Sequence, residues 1–314
     1  MTREIELPAL DGTNPLGFLA ALGVLDVLHR AGREPTLRWS TGLVPQPLYQ
    51  GAPDPEELVG LIDADRARWQ DSVVLRGPVG DPQNDLKPPP LVHRQWAAEV
   101  IDTISDTRAE ADLFCALLSE RAVDGKGNAK PTHLHFTAGQ QKFLVMVREL
   151  ASRVDAPRIR EAIVGPWRED SPLPNLSWSS QGERIYALRA LNPSGEKRLG
   201  VPGADWLAFL GLVFFPTCAL TRNAGEPAVL KTSGCDRSWK RSALRWPLWD
   251  VPLERDTIWA LVGDSSAVGE AKDRLSPDAL RARGVLRVLR APIRRSEQGG
   301  YGSFGGASVL TGAG

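Results

Sequence analysis

The sequence predicts an α+β fold with mixed, mainly antiparallel sheets and interspersed helices. Apolar residues recur at spacings of three and four in several segments, which is typical of helices that bury one face. Between these segments lie short apolar runs bounded by proline, glycine and polar residues, which indicate strands. Helices and strands do not alternate regularly, and no repeat of solenoid length occurs, so neither a parallel βαβ sheet nor a solenoid is expected.

The first half of the chain is predicted to be mostly helical. A strand at 3–10 precedes a helix near 15–32, in which Asn14 and Pro15 suit the start and Gly32 the end. Gly17 and Gly23 weaken that helix by about 1 kcal/mol each relative to Ala, which predicts close packing against it. The other elements predicted in this half are strands at 36–40, 46–50 and 132–137 and helices at 54–69, 94–104, 110–123, 139–154 and 156–167.

The second half is predicted to be more extended. Strands are expected at 175–179, 184–191, 198–201, 242–249 (interrupted at Pro247) and 285–295 (one long strand or a pair), and helices at 203–215, 254–264 and 276–284. The proline-rich and charged segment 165–175 is the candidate boundary between an amino-terminal α+β domain, 1–168, and a carboxyl-terminal α+β domain with an arginine-rich end, 169–314. A single domain is the alternative.

Composition limits the class of protein. Hydrophobic residues make up 42% and charged residues 24% of 314 residues, as in a globular protein with a substantial core. The three cysteines form no close pair, which argues against a disulfide framework and favours a reducing compartment. No apolar run approaches the roughly 18 residues of a membrane span. A soluble, cytoplasmic protein without a membrane partner is therefore expected.

The basic residues concentrate towards the end of the chain. From Arg281 onward there are six arginines and one acid, Glu297, a net charge of +5 that leaves −5 on the rest. Such asymmetry predicts a localised anion-binding face; the alternative is an ordinary solvated helix and strand. The arginines predicted to contact nucleic acid are Arg287, Arg290, Arg294 and Arg295.

A second basic segment spans residues 123–142. It mixes three of the chain's eight lysines with glycines, one asparagine and two histidines. Side chains of this kind contact nucleic-acid backbones and grooves, although a plain surface hairpin is equally compatible with the pattern. The candidates here are Lys126, Asn128, Lys130, His133 and Lys142.

The glycine-rich segment 299–306, "GGYGSFGG", follows the last arginines. Its backbone amides are candidates for approaching phosphates, with Tyr301 and Phe304 available to stack on bases. The alternative is a flexible tail. Because it follows a strand and leads to no helix, it is not a phosphate loop of the helix-opening kind.

Nothing in the sequence forms an established catalytic or metal-binding pattern. His133 and His135 are two residues apart on a predicted strand, with Cys115 or Asp112 as possible further ligands, but no second close-spaced pair completes a zinc site. His29, at a predicted helix end, is a candidate general acid or base, or simply a surface residue. No cofactor is predicted.

Ten tryptophans are many for this length. Several adjoin arginines, as in Arg245-Trp246, so stacking on bases is one interpretation. Core or inter-subunit anchoring is the favoured one. Carboxylate pairs such as Asp63 and Asp65 are interpreted as surface residues.

Several stretches resemble one protein family in the same order along the chain. They are "NPLGFLAALGVLDVL", "LHFTAGQQKFL", "IYALRALNPS" followed by "GADWLAFLGLVFFP", and "LRWPLWDVPLERDTIWALV". From Leu7 to about Val262, the chain is similar to CRISPR-associated proteins of the type I-G (formerly I-U) group. These motifs are mostly packing motifs, so they indicate family more than mechanism.

The resemblance implies a non-catalytic subunit of a crRNA-guided DNA surveillance complex in antiviral defence. Its partners would be crRNA, target DNA and other Cas proteins of a Cascade-like complex, because such complexes delegate sequence reading to base pairing. One alternative is a metal-independent crRNA-processing endoribonuclease that uses His29 or His133. Another is a scaffold or small-molecule enzyme unrelated to nucleic acid.

Overall fold

The computed structural model describes residues 4–79, 86–104, 108–137, 141–180, 199–221, 223, 225–269, 275–295 and 301–312. The fold is α+β, with several small antiparallel sheets and interspersed helices, as predicted. The predicted strand at 184–191 lies outside the described residues, as do Glu297 and the first two glycines of the glycine-rich segment.

The first helix, α1 (Pro15–Arg30), is the centre of the fold. Asn14 caps it by accepting a hydrogen bond from the backbone N–H of Leu16 at 3.2 Å, and Pro15 occupies its first position, as predicted. All but its last two residues are buried. At Gly23 a Cβ atom would lie 1.9 Å from the Leu207 carbonyl oxygen, so glycine is required where α1 crosses α8 (Pro202–Leu210). The predicted close packing at Gly23 is confirmed.

Four short strands form a sheet beside α1. Its order is β1 (Glu4–Glu6), β3 (Pro47–Gln50), β2 (Thr36–Trp39) and β9 (Leu253–Glu254), all antiparallel. Since β9 comes from the second half of the chain, this sheet joins the two predicted halves.

The second sheet is built around the long strand β10 (Val285–Arg295). β10 pairs along one edge with β8 (Ala243–Trp249). Along its other edge, residues 287–290 pair with β12 (Ser308–Gly312) and residues 293–295 pair with β11 (Gly302–Phe304). β8 continues through Pro247, so the predicted interruption is wrong. The glycine-rich segment enters the sheet as β11.

Two hairpins complete the strands: β4 (Leu118–Val123) with β5 (Ala129–Pro131), and β6 (Thr217–Leu220) with β7 (Val229–Thr232). The predicted helix at 110–123 ends at Leu117, because the chain turns into β4. The predicted strands at 132–137 and 175–179 are wrong, since neither segment pairs with a neighbour as a strand.

The remaining helices cover the core. They are α2 (Pro55–Arg68), α3 (Val73–Arg76), α4 (Pro90–Asp102), α5 (Ala109–Leu117), α6 (Phe143–Arg153), α7 (Ala156–Ile163), α9 (Arg255–Gly263) and α10 (Pro277–Arg281). Among the described residues, none of the helices is both long enough and apolar enough to cross a bilayer.

The main core is rich in aromatic rings. Phe18 of α1 stacks on Trp39 at 5.7 Å between ring centres and contacts Trp246 and Trp249. The indole N–H of Trp246 donates to the Gly12 carbonyl at 2.8 Å, so this buried donor is satisfied. The core residues come from both sides of position 168.

Candidate nucleic-acid interface

His133 lies in a buried turn that follows β5. Its ring Nδ1 is 3.0 Å from the hydroxyl of Thr232 on β7, and its backbone N–H donates to the same hydroxyl at 3.0 Å. Only 1% of the residue is exposed. The side chain therefore does not reach a ligand at the surface, contrary to the prediction of an exposed, paired strand, and it instead positions the turn.

The electrostatic surroundings of His133 identify a cluster of cations. Burial, followed by the positive charges of Arg295, Lys231 and Lys130, lowers the pKa of His133 to about 3. The ring is therefore neutral at physiological pH. The positive charges of three basic side chains, which come from three separate segments, therefore act on the His133 ring.

Arg295 is the most constrained of these cations. Its guanidinium lies 3.8 Å from the centre of the Trp239 ring and donates hydrogen bonds to the carbonyls of His133 (2.7 Å) and His135 (3.0 Å). Burial lowers the pKa of Arg295 to about 10. Within the described part of the chain, no carboxylate forms an ion pair with it. A partly buried cation without a counter-charge carries a desolvation cost that a bound anion would offset.

The loop 236–241, "DRSWKR", was missed by the sequence analysis. It holds Trp239 against the His133 ring at 5.4 Å between centres, and its three basic side chains, Arg237, Lys240 and Arg241, are exposed. The signal was present as basic residues flanking a tryptophan. Only the fold shows that this loop meets the end of β10.

The acid of this loop is already neutralised. Asp236 accepts from Arg245 at 3.0 Å and lies 3.8 Å from Arg290, its neighbour across the β8–β10 pair. Arg290 therefore serves partly as an internal ion-pair partner.

The four predicted arginines of β10 do not form one face. From Leu289 onward, alternate residues point to opposite sides, so Arg290 and Arg294 share a side and Arg295 lies on the other with the core residues. Arg287 is eight residues from Arg295, about 26 Å along a strand. Of the four, Arg295 reaches the His133 turn, and Arg294, which is exposed, adjoins it.

The predicted residues of 123–142 are also separated. Lys126 is exposed at the tip of the β4–β5 hairpin, where Asp124 accepts from the backbone N–H groups of Lys126 and Asn128 at 2.8 and 3.1 Å. Lys142 lies at the start of α6. Lys130 is the one whose charge acts on His133. Residues 118–131 therefore form a hairpin, which was the alternative interpretation of this segment.

The two aromatic candidates differ in exposure. Tyr301 is 42% exposed, and the next residue, Gly302, donates to the Phe136 carbonyl at 3.0 Å, which places Tyr301 near the His133 turn. Phe304 is fully buried and packs edge-on against Phe136 at 5.0 Å. The expectation that Phe304 is available for stacking is therefore wrong.

The fold thus assembles a group of basic side chains, the basic cluster, around the stacked pair of Trp239 and Arg295. Its basic members are Lys130, Lys231, Arg237, Lys240, Arg241, Arg294 and Arg295.

The histidines of the metal and ribonuclease alternatives lie in different surroundings. The described residues contain no group of three His, Cys, Asp or Glu side chains placed to hold a metal, and His135 instead pairs with the Thr137 hydroxyl at 3.0 Å. His29 is exposed and lines a separate cleft on the α1 side. His133, the other histidine proposed for ribonuclease chemistry, does not line that cleft.

No protein-family model and no curated protein sequence matches this chain. The resemblance to type I-G CRISPR-associated proteins remains a prediction from the sequence.

Proposed function

We propose that the basic cluster binds the phosphate backbone of nucleic acid, and that the chain is a non-catalytic, cytoplasmic subunit of a crRNA-guided DNA surveillance complex. The environment of Arg295 is the main support for the first part of this proposal. Arg295 is stacked on Trp239, partly buried and unpaired with any carboxylate of the described residues, with other cations around it. A phosphate would supply the missing negative charge.

The arrangement favours backbone contact over base reading. Arg237, Lys240 and Arg241 are exposed on one short loop and can each donate to a phosphate. Two nitrogens of the Arg295 guanidinium already donate to carbonyls, so Arg295 attracts the phosphate by its charge. Contacts of this kind position a protein on nucleic acid without reading sequence. Such a role suits a subunit of a complex in which base pairing reads the sequence. The second part of the proposal rests on the sequence resemblance.

Binding to a short single-stranded RNA and to duplex DNA, measured across a salt series, tests the first part. Replacing Arg237, Lys240 and Arg241 together with Ala should weaken binding to any sequence and reduce the slope of log K against log salt by about two to three units. The matched control replaces Arg94, Arg108 and Arg153, three exposed arginines outside the cluster.

Equal binding by the two triple variants would refute the proposed interface. Affinity purification of the tagged chain from its host at low salt tests the second part. Recovery with several Cas proteins and an RNA of uniform length would support it. Recovery of the chain alone, free of nucleic acid, would favour a scaffold or small-molecule enzyme.

A further inference from the structure

A cleft of about 1120 Å³ opens between α1, α2, α5 and α9, and none of the residues that line it belongs to the basic cluster. Its floor is a network of buried ion pairs. Arg30 of α1 holds Asp65 of α2 through two hydrogen bonds of 2.7 and 3.1 Å, and Arg255 of α9 donates to Asp26 at 2.8 Å. Asp65 was interpreted from the sequence as a surface residue and is in fact buried. These pairs join α1, α2 and α9 around the cleft.

The acids on the α5 side are also engaged. Asp112 binds Arg108 at 3.0 Å and Arg255 at 3.2 Å. Glu110 accepts hydrogen bonds from the Ser72 hydroxyl and from the backbone at the start of α3. Neither carboxylate is left open to a ligand from outside.

The wall formed by α9 is different. Asp256 has a side chain that is 92% exposed, and its one ion-pair contact within the described residues is a 3.4 Å approach to Arg255. Trp259 is three residues further on, so the two side chains share a face of the helix. Trp259 is 46% exposed, whereas the other nine tryptophans are buried or half-buried.

The opposite wall carries the reverse charge. Arg68 at the end of α2 is exposed, and Arg108 before α5 has a side chain that is 84% exposed. The mouth of the cleft therefore has an acid and an aromatic ring on one side and two guanidinium groups on the other.

We propose that this cleft is a docking site for a segment of a partner protein that presents an arginine or lysine to the α9 wall and a carboxylate to the opposite wall. The basic side chain would stack on Trp259 and pair with Asp256. The carboxylate would meet Arg68 and Arg108. An exposed tryptophan at the mouth of a preformed cleft is a common energetic anchor of protein interfaces.

Charge at the mouth selects this occupant. The other four carboxylates that line the cleft already have partners, so the exposed charges are Asp256 and the two arginines Arg68 and Arg108. A segment that carries both a basic and an acidic side chain pairs with both signs, whereas a polyphosphate would pair with the two arginines and not with Asp256. The residues tested here differ from those of the basic cluster, so the failure of this proposal would leave the proposed nucleic-acid binding undecided.

Selection from a phage-displayed library of random 12-residue peptides tests the proposal. The intact protein serves as bait, and the Asp256→Arg, Trp259→Ala double variant is used to remove peptides that bind elsewhere. Enriched peptides should carry an arginine or lysine together with an acidic residue. The best one is then synthesised and its Kd measured by fluorescence anisotropy. Both substituted side chains are exposed, and thermal melting checks that the fold is kept.

Asp256→Arg alone should weaken the peptide at least tenfold, and Trp259→Ala by about tenfold. A peptide whose basic residue is changed to Glu should bind Asp256→Arg better than it binds the wild type. The proposal is overturned if no peptide is enriched over the double variant, if the enriched peptides lack a basic residue, or if the charge exchange restores nothing. RNA binding should be equal in Asp256→Arg and the wild type, which separates this site from the basic cluster.

Discussion

Asp205 of α8 is fully buried, and its ionisation should set a large part of the pH dependence of stability. One carboxylate oxygen accepts from the backbone N–H of Leu176 at 3.1 Å, and the other has no hydrogen-bond partner among the described residues. Burial raises the pKa of Asp205 from 3.8 to about 7. The folded protein thus holds this proton more tightly than the unfolded chain does.

This difference in proton affinity fixes the direction and size of the pH effect on the free energy of unfolding. The stabilising contribution of the protonated carboxyl is fully present below pH 3.8 and is lost as the pH rises through 7. Each tenfold change in proton affinity corresponds to about 1.4 kcal/mol, so the total is about 4 kcal/mol. Roughly 3 kcal/mol of it falls between pH 5 and pH 8. Asp205→Asn keeps the shape and the bond to Leu176 but removes the ionisation.

Urea unfolding of the wild type and Asp205→Asn at a series of pH values measures this. The free energy of unfolding of the variant, relative to that of the wild type, should rise by roughly 3 kcal/mol from pH 5 to pH 8. Any hydrogen-bonding cost of the new amide is independent of pH and cancels in this difference. Asp256→Asn, at an exposed carboxylate, is the control and should follow the wild type. A difference between Asp205→Asn and the wild type that does not change with pH would refute the reasoning.

Two further predictions concern packing and the basic cluster. The pKa of His133 lies at about 3, below its ordinary 6.5, so the neutral ring's contribution to stability is present above pH 6.5 and is lost as the pH falls towards 3. The wild type should therefore lose about 3 kcal/mol more stability between pH 7 and pH 4 than His133→Leu does. Urea unfolding curves with the same pH dependence for both proteins would contradict this. Gly23→Ala should destabilise the protein by about 3 kcal/mol or more, because the new methyl group meets the Leu207 carbonyl. Its control, Gly60→Ala, meets nothing within 4 Å in an exposed turn of α2 and should stabilise by about 0.5–1 kcal/mol, as read from melting temperatures.

The elements that the sequence predicted best are those with local signals. The cap at Asn14, Pro15 at the first position and continuous apolar periodicity predict α1 to within two residues, because all three act within one helix. Asp54 and Pro55 do the same for α2. At 118–123 the apolar pattern continues as if helical, but pairing with β5 prevails over local preference.

The candidate site was predictable only in part. The basic residues at 130 and 295 could be named because their charge and composition are visible in the sequence. Their meeting around Trp239 depends on contacts between segments more than 100 residues apart, such as the hydrogen bonds that Arg295 donates to the carbonyls of His133 and His135. Periodicity within a segment does not reveal such long-range contacts.

The sequence by itself determined the α+β class, most helices and the excess of positive charge near the carboxyl-terminal end, because these depend on residue type and local spacing. The tertiary structure decided which charges are available. It buried Phe304 and His133, placed Arg295 on Trp239, and left Trp259 exposed beside a cleft. The physical reason is that burial and ion pairing are set by neighbours distant in the chain, and they determine whether a charged or aromatic side chain can meet a ligand.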